Sequence, residues 1–447
     1  MHLHLSRPAL RWASATVAAS AALAAGSLLP VSAATAAVPA ARVISPDTRF
    51  FVPPPSSGAP QQVIGLLKAH DLKDAALITE METIPRAVWF TSGTQAQVQQ
   101  QVRQTMAEAA IERAEPVLVA YDIPGRDCAQ YSAGGALDES AYETWIDGFA
   151  SGIGKGKAVV ILEPDALGNM PSGCGLPSTT YPFTDAERIA EIQYAVSALE
   201  ADPGVSVYLD GTHSAWQSVG TITQRLLAAN VQQAQGFFLN VSNYQADPNL
   251  TDYGTWISDC IAMVTDPSNA YYDNPAACAS QYYPATESDF STWGLTTAWY
   301  AQNMGGAVAT THFVIDTSRN GDGPNGMQQY ANAPYNQPAS VISTLAGGNW
   351  CNPPASGLGL KPTANTGVPL LDAYLWVKTP GQSDGQCDAA GGVRAWDYTA
   401  YTQPGWPADA ASQALFDPLW GIDDPAAGAW FPQQALQLAQ DASPSLP

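Results

Sequence analysis

Basic residues are scarce in this chain, and their scarcity excludes one broad class of function. The sequence has 18 Lys and Arg against 40 Asp and Glu in 447 residues, a formal net charge of −22 at pH 7. An acidic surplus of this size would repel phosphate, and no Lys/Arg-rich run is present, so a nucleic-acid partner is excluded. Charged residues make up only 13% of the chain and hydrophobic residues 46%, which argues against disorder.

Long apolar runs are absent beyond the N-terminus. Arg7 and Arg11 precede an apolar stretch at 12–30, and residues 34–36 have the small-residue pattern of a signal-peptide cleavage site. We expect residues 1–36 to be a secretion signal peptide and residues 37–447 to form a single domain. No later run approaches the roughly 20 apolar residues of a membrane span. We therefore expect a secreted, extracellular protein with no membrane partner.

The chain has six cysteines but none of the C-x-x-C pairs that are typical of zinc sites. In an exported protein an even number favours three disulfides, and six cysteines allow 15 pairings. The simplest choice joins sequence neighbours, namely Cys128 with Cys174, Cys260 with Cys278, and Cys351 with Cys387. A zinc site is the disfavoured alternative, so we expect no metal and no cofactor.

Short apolar runs alternate with helical patterns along the chain. Apolar residues at helical spacing predict helices over 60–70, 95–113 and 185–200, the last preceded by a capping-box pattern at 184–187. Apolar and β-branched runs predict strands over 87–90, 117–121, 158–162, 206–209, 236–240, 312–315 and 373–377. This alternation implies an α/β fold whose parallel sheet is buried on both faces. The stretches 245–305 and 388–425 are long for connections, and we expect ordered loops there on the active-site side.

Polar residues follow most of the predicted strands. They are Asp122 and Asp127, Glu163 and Asp165, Asp210, Asn240, Asp316, and Lys378 and Asp384. Because the C-terminal ends of parallel strands meet at one end of a βα barrel, we expect the active site there. Many acids, 13 Trp and only 5 His favour carboxylate chemistry on an uncharged, polyhydroxylated substrate. Carbohydrate fits best, because its C–H faces stack on aromatic rings and paired acids break its glycosidic bonds.

Five segments sharpen this interpretation to a family. They read YDIPGRDC (121–128), ILEPD (161–165), YLDGTHSAW (208–216), NWCN (349–352) and LWVKTPGQSDG (375–385). In this order, over about 89–431, they closely resemble glycoside hydrolase family 6, the inverting cellulases, and the cysteines fall where that family has two disulfides. The resemblance implies a distorted, incompletely closed TIM-like βα barrel with about seven parallel strands, and a catalytic domain over 37–447.

The resemblance also implies roles for the catalytic residues. Asp165 matches the general acid, and Asp127 matches a neighbouring carboxylate that raises the pKa of the acid and takes part in proton transfer. Asp384 matches the candidate base or charge stabiliser; the competing account is a relay through water, a serine and Asp127, with Ser132 as our candidate serine. Tyr121 matches a tyrosine that crowds the sugar and favours its distortion. The structural alternative for Asp127 is a salt bridge with the adjacent arginine.

Eight further residues match substrate-binding positions of the family. Trp89, Trp216 and Trp350 match stacking platforms, and Asp210, His213, Asn240, Lys378 and Gln382 match hydrogen-bonding positions. The sequence departs from the family pattern at two positions, each of which concerns one subsite. Gln382 stands where many members have Glu, and Val219 replaces a further platform tryptophan of some cellobiohydrolases.

These features together predict a secreted, monomeric endo-β-1,4-glucanase that hydrolyses cellulose or a related β-glucan with inversion. The endo prediction rests on the short loop between Cys128 and Trp145. A cellobiohydrolase is the alternative, because 388–425 is long enough to cover half of a tunnel. A non-catalytic glucan-binding protein and an unrelated βα barrel acting on another polysaccharide are the remaining alternatives.

Overall fold

A curled parallel sheet of seven strands organises the protein. The computed structural model describes residues 44–446, so the predicted signal peptide lies outside the described residues and the domain boundary at 37 stays a prediction. The strands are Val88–Phe90 (β1), Val117–Ala120 (β2), Ala158–Leu162 (β3), Val205–Asp210 (β4), Gly236–Leu239 (β5), His312–Asp316 (β6) and Leu371–Leu375 (β7). They pair in chain order and every pair is parallel. The predicted fold class is confirmed.

Eleven α-helices connect or flank the strands within residues 44–446. They are Ala59–Lys68 (α1), Leu72–Glu82 (α2), Gln95–Glu112 (α3), Glu139–Ile153 (α4), Asp185–Glu200 (α5), Val219–Ala228 (α6), Asp247–Thr265 (α7), Gly294–Asn303 (α8), Ala339–Gly347 (α9), Ala410–Leu415 (α10) and Pro432–Gln440 (α11). The three predicted helices correspond to α1, α3 and α5. The predicted capping box begins α5, because Thr184 and Glu187 each accept the backbone N–H of the other. None of these helices is both long and apolar enough to cross a bilayer.

Residues of each strand alternate between two buried apolar layers. On β3, Val159 and Ile161 pack inside the curled sheet with residues such as Tyr208 of β4. Val160 and Leu162 point the other way and pack in the larger cluster that contains the helices. Burial on both faces explains why the strands read as continuous apolar runs rather than as an alternating pattern.

The first and last strands close the barrel only in part. No ladder pairs β1 with β7 in the described part of the chain. Two hydrogen bonds bridge this seam instead. The Ala87 N–H donates to the carbonyl of Trp376 at 2.8 Å, and the indole N–H of Trp89 donates to the carbonyl of Val377 at 2.8 Å. The Trp89 ring therefore spans the seam just beyond the end of β7.

The prediction of one long loop over 245–305 is wrong. Helices α7 and α8 occupy much of this stretch, and α7 buries Leu250, Tyr253 and Ile257 at helical spacing. Pro248 and Gly254 obscured that pattern in the sequence. Pro248 lies in the first turn, where a missing N–H removes no helical hydrogen bond. The part between the two helices is irregular, as is most of 388–425, where only the short α10 forms.

All six cysteines form disulfides in the predicted pairing, Cys128–Cys174, Cys260–Cys278 and Cys351–Cys387. The first joins the connection after β2 to the connection after β3. The third joins the residue that follows Trp350 to the segment that follows Asp384. Two of the three disulfides thus connect loops at the C-terminal end of the sheet.

Candidate active site

A cleft of 850 Å³ lies at the C-terminal end of the sheet. Ten of the predicted site residues line it: Trp89, Tyr121, Asp127, Ser132, Asp165, His213, Trp216, Trp350, Lys378 and Asp384. They come from segments that follow β2, β3, β4, β6 and β7, and from β1 itself. Another cavity, of 760 Å³, lies at the opposite end of β2 and β3 and contains none of the predicted site residues. The site expected from the strand ends therefore forms as one cleft.

Asp165 reaches the cleft through a sharp turn directly after β3. Glu163 and Asp165 both adopt positive φ angles, 50° and 66°, a region that non-glycine residues rarely occupy and that is frequent at functional sites. The turn sends the two carboxyl groups in different directions. Glu163 is fully buried and accepts the backbone N–H groups of Asp122 and Ile123 at 3.0 and 3.1 Å, whereas Asp165 lines the cleft.

The surroundings of Asp165 favour its protonated form. Burial raises the pKa of its carboxyl group well above the ordinary value, and the negative charges of Asp210, Asp127 and Asp384 raise it further. Lys378 acts in the opposite direction but is a smaller influence. A carboxyl group that keeps its proton near neutral pH can donate it to a substrate oxygen.

Asp127 faces Ser132 across a tight turn. Its carboxylate accepts the backbone N–H of Ser132 at 2.7 Å. Burial raises the pKa of Asp127, while the Ser132 N–H and Arg126 oppose that rise. The pKa remains above the ordinary value, so Asp127 takes up a proton more readily than an exposed aspartate.

Arg126 positions this turn and makes no ion pair with Asp127 among the described residues. Its guanidinium donates instead to the backbone carbonyls of Thr91, Tyr121 and Ser132. It also lies over the Tyr121 ring, 4.5 Å from the ring centre, a cation–π contact. Tyr121 also makes a T-shaped contact with Trp89, with the ring centroids 5.3 Å apart.

Asp384 has the opposite electrostatic setting to Asp165. One carboxylate oxygen accepts from Arg319 at 2.8 Å and from the Asn352 N–H at 3.0 Å, and the other lies 3.1 Å from the Lys378 ammonium. Burial alone would raise the pKa of Asp384, but Arg319 and Lys378 together hold it below the ordinary value. These contacts therefore favour an ionised Asp384 and hold its carboxylate in one orientation.

A buried polar network supports Asp384 from behind. The Asn352 side chain accepts the N–H of Asp384 at 2.8 Å and donates to Asp424 at 2.9 Å. Asp417 forms a fully buried salt bridge with Arg394 at 3.0 Å. Burial, and then the negative charge of Asp417, raise the pKa of Asp424 to about 9. Asp424 therefore holds a proton at neutral pH, while Asp417 lies against the Arg394 guanidinium.

Two further indoles, Trp216 and Trp350, and the imidazole of His213 also line the cleft. Trp216 lies directly over Gly168, where any Cβ would collide with the ring, so only glycine allows this approach. Trp350 packs 6.3 Å from Tyr131. His213 is tilted against Trp216 at 5.6 Å, and burial lowers its pKa to about 4. A neutral His213 suits hydrogen bonding to an uncharged ligand.

Three predicted ligands of the sugar do not line the cleft: Asp210, Asn240 and Gln382. Asp210 is buried and accepts three backbone N–H groups, from Leu167, Gly168 and Thr212. Asn240 is buried and bonds to the backbone of Asp316 and Gln245. Gln382 forms a backbone bridge with Trp430 beside the cleft. Their geometry favours support of the surrounding loops over contact with substrate.

The acids at the strand ends thus divide into two sets. Glu163, Asp210 and Asp316 are buried and bind backbone N–H groups of the neighbouring connections. Asp127, Asp165 and Asp384 line the cleft. The sequence pattern alone did not separate the two sets.

Arg319 is the main residue that sequence reasoning missed. It is fully buried, pairs with Asp384 and lies 4.5 Å from the ring of Tyr244. Its only signal in the sequence is an arginine shortly after a predicted strand. No group of three or more His, Cys, Asp or Glu within residues 44–446 is arranged to hold a metal ion.

The sequence profile described as "Glycosyl hydrolases family 6" matches residues 45–442. The chain belongs to this family. The resemblance inferred from the five segments is therefore confirmed, and the match includes every cleft residue named above.

Several curated relatives are similar to this member of family 6. Endoglucanase A of Cellulomonas fimi is 32% identical over 352 residues, 78% of this chain and 59% of that protein. Endoglucanase 1 of Streptomyces halstedii is 32% identical over 376 residues, 82% of this chain and 91% of that protein. The chain thus spans about six-tenths of the first relative and most of the second. A cellobiohydrolase of Emericella nidulans is 27% identical, over 83% of this chain and 72% of its own length.

Solved structures agree with the fold. The endoglucanase Cel6 of Mycobacterium tuberculosis, in complex with a thio-linked cellobioside, is 30% identical with a TM-score of 0.58, covering 88% of this chain and 97% of its own. The catalytic core of the cellobiohydrolase Cel6A of Chaetomium thermophilum is 24% identical with a TM-score of 0.58, covering 90% and 98%. The second likeness concerns the fold alone.

Proposed function

We propose that this family 6 protein is an inverting endo-β-1,4-glucanase acting on cellulose or a soluble β-glucan. The observation that carries the proposal is that Asp165, buried beside other carboxylates, and Asp384, paired with two cations, line one cleft that contains tryptophans. The environment of Asp165 favours its proton and that of Asp384 favours its charge. Two carboxyl groups whose environments separate their pKa values are typical of glycosidases.

In the first step, Asp165 donates its proton to the glycosidic oxygen as the bond to the sugar breaks. Positive charge develops on the anomeric carbon and the ring oxygen at the same time. Asp384 faces the same cleft as a carboxylate that Arg319 and Lys378 keep ionised. Its negative charge stabilises the developing cation, and Tyr121 restricts the sugar to a distorted shape.

In the same transition state, a water molecule attacks the anomeric carbon from the face opposite the leaving group. We assign removal of its proton to Asp127 through the Ser132 hydroxyl, because both residues line the cleft and the Ser132 N–H binds the Asp127 carboxylate. Asp384 is less suited to be the base, since two cations and a backbone N–H already occupy its oxygens. Attack from the opposite face inverts the anomeric configuration.

Endo action is supported by the relatives of about 30% identity or more, which are named endoglucanases. One observation favours cellobiohydrolase as the second candidate. The Tyr131 hydroxyl lies 3.3 Å from the Asp388 carboxylate, so the connection after β2 touches the segment after Asp384. Contact between these two loops is what a covered cleft requires.

Incubation of the purified protein with carboxymethyl cellulose and cellohexaose tests the proposal. We expect a steep fall in viscosity relative to reducing ends, and α-anomeric product by NMR. Cellobiose release with little change in viscosity would favour the cellobiohydrolase, and β-anomeric product would contradict inversion. Binding without hydrolysis would favour a non-catalytic glucan-binding protein.

The variant Asp165→Asn tests the acid. We expect kcat to fall by about 10²- to 10⁴-fold while oligosaccharide binding remains. Retained turnover would contradict the assignment of the acid.

We also propose that the protein is secreted and acts as a monomer. The signal-like pattern at 1–36 and the pairing of all six cysteines in disulfides support secretion. For the monomer, the support is that no cysteine within residues 44–446 is free to form a disulfide between chains. Mass spectrometry of the N-terminus from a culture supernatant and light scattering of the purified protein test both statements.

A further inference from the structure

Phe290 is an exposed aromatic ring in the wall of the cleft. Its side chain is 55% exposed, yet it lines the same cavity as Asp165 and Trp216. Glu287 and Ser288 line that cavity beside it. The wall belongs to the irregular segment 279–293, to which the sequence assigned no binding role.

The exposed ring of Phe290 has a fixed support. Its ring makes a T-shaped contact with Trp293, with the ring centroids 5.2 Å apart. Trp293 is buried, and its ring centroid lies 5.2 Å from that of Trp256 in α7. The backbone around it is held by a short 3-10 turn, in which Thr292 donates to the carbonyl of Asp289 through both its N–H and its hydroxyl. The Phe290 ring is therefore supported from one side by Trp293, while 55% of the side chain stays exposed beside the cleft.

The segment 279–293 is also joined to the Trp216 platform. The Tyr282 hydroxyl donates to the carbonyl of Trp216 at 2.8 Å, and the Gln281 amide donates to the carbonyl of Gln217 at 2.8 Å. Phe290 and Trp216 consequently belong to one connected wall. A flat apolar ring with polar groups at its side is the kind of surface on which a glucose ring stacks.

We propose that Phe290 is a stacking platform for an additional glucose unit, in a subsite beyond the one at Trp216. The inference rests on the proposed glucanase function and concerns how many glucose units the cleft binds. Glu287 and Ser288 supply hydrogen-bond partners for hydroxyls of that unit. Val219, which lies close to Trp216 in the sequence, is fully buried in α6 and offers no surface to a sugar.

Chain-length dependence of hydrolysis tests this platform. The measured quantity is kcat/KM for cellotriose, cellotetraose, cellopentaose and cellohexaose, with Phe290→Ala, Phe290→Tyr and the control Leu295→Ala. Leu295 is 54% exposed on the neighbouring α8 and does not line the cleft. In Phe290→Ala, we expect the ratio of kcat/KM for the longest to the shortest substrate to fall by about 3- to 10-fold. Phe290→Tyr keeps the ratio, because it keeps the flat ring, and Leu295→Ala leaves it unchanged.

Binding in the Asp165→Asn background separates this inference from the proposed function. Calorimetric titration with the same oligosaccharides should show the same length-dependent loss in Phe290→Ala. An equal loss at every length, or no loss with cellohexaose, would overturn the platform even if hydrolysis is intact. Absence of hydrolysis by the unmodified protein, with the length-dependent binding still present, would overturn the proposed function and leave the platform standing.

Discussion

At the scale of single residues, two buried cations set the ionisation of Asp384. Arg319 is fully buried and contacts one carboxylate oxygen, while Lys378 contacts the other. A buried ion pair contributes little net stability, but removal of one partner leaves a charge that water cannot reach. In the proposed mechanism this arrangement has a chemical reason, because a permanent negative charge beside a developing cation lowers the barrier.

The variant Arg319→Gln tests that reasoning. We expect kcat to fall by at least about 10-fold, because Asp384 loses the cation that orients it and keeps it ionised, and an electrostatic contribution of this kind in a dry site amounts to a few kcal/mol. The pKa of Asp384 should rise toward the ordinary value, so the acidic limb of the pH–kcat profile should move to higher pH. Arg319→Lys retains the charge, so its kcat and the acidic limb of its pH profile should lie between those of the unmodified protein and those of Arg319→Gln.

The control for Arg319→Gln is Lys361→Gln, which removes a cation from an exposed pair with Glu80. That surface pair is worth at most about 1 kcal/mol, and the pH profile should stay where it is. A uniform loss of activity at all pH values in Arg319→Gln, with a lowered melting temperature, would point to a merely structural role.

Sequence reasoning located the cleft acids but did not find their partners. Asp165 and Asp384 stand in recognisable segments at strand ends, so their neighbourhood could be predicted. Arg319 lies 65 positions before Asp384, and only the folding of β6 beside β7 brings the two together. Nor does an acid at a strand end reveal whether it faces the cleft, as Asp165 does, or binds backbone N–H groups, as Asp316 does.

At the scale of secondary-structure elements, the strands were predictable because both of their faces are buried. Predicted and observed limits differ by at most two residues. The largest difference concerns β7, whose apolar run continues to Val377 although the strand ends at Leu375. The N–H groups of Val377 and Lys378 turn away to bind the Asp316 carboxylate at 3.1 and 3.0 Å. Nothing in the sequence around β7 indicates that a side chain from another strand binds these N–H groups.

One disulfide between the loops has a role that can be tested. Cys128–Cys174 ties the Asp127 turn to the loop that follows Asp165 and closes a segment of 46 residues. Replacement of both cysteines by serine should lower the free energy of unfolding by about 4 kcal/mol on the chain-entropy estimate. It should also lower kcat, because the turn that carries Asp127 loses its tether. Urea unfolding and steady-state kinetics measure the two effects.

The matched control replaces Cys260 and Cys278. Their disulfide closes a segment of 18 residues, and neither cysteine lines the cleft. This change should cost about 3 kcal/mol of stability and leave kcat for cellotriose near the original value. If both double variants lose the same fraction of kcat, the first disulfide has no specific role at the site.

At the scale of the whole molecule, several buried acids keep their protons in the folded state. Burial raises the pKa of Asp122 to about 7, of Glu163 to about 8 and of Asp424 to about 9. In the unfolded chain such groups ionise near pH 4. Between pH 4 and these values the unfolded state has released protons that the folded state retains, so stability falls as pH rises.

We therefore predict that the melting temperature declines from pH 5 to pH 9. Each retained proton contributes at most about 1.4 kcal/mol per pH unit. His213 acts in the opposite sense, since burial lowers its pKa to about 4, but it is one group and its effect ends near pH 6.5. Calorimetric scans at several pH values measure the decline.

Asp424→Asn identifies one source of that decline. Asparagine resembles the protonated acid, so the variant should fold normally and lose stability less steeply between pH 7 and pH 9. The adjacent Asp423 is exposed, and Asp423→Asn should leave the slope as it was. A melting temperature that rises from pH 5 to pH 9 in the unmodified protein would contradict the predicted protonation of these acids.

The seam between β1 and β7 has a consequence for the evolution of substrate preference. The Trp89 indole both lines the cleft and donates the hydrogen bond that bridges the two edge strands. In a deep mutational scan, position 89 should tolerate as few replacements as the interior of the barrel does, although the ring borders the substrate. Phe290 lies in the wall formed by 279–293, which other residues hold in place. The Phe290 side chain can therefore change without opening the sheet. Laboratory selection for shorter or longer substrates should therefore accumulate its changes in that wall, while the tryptophan at the seam stays fixed.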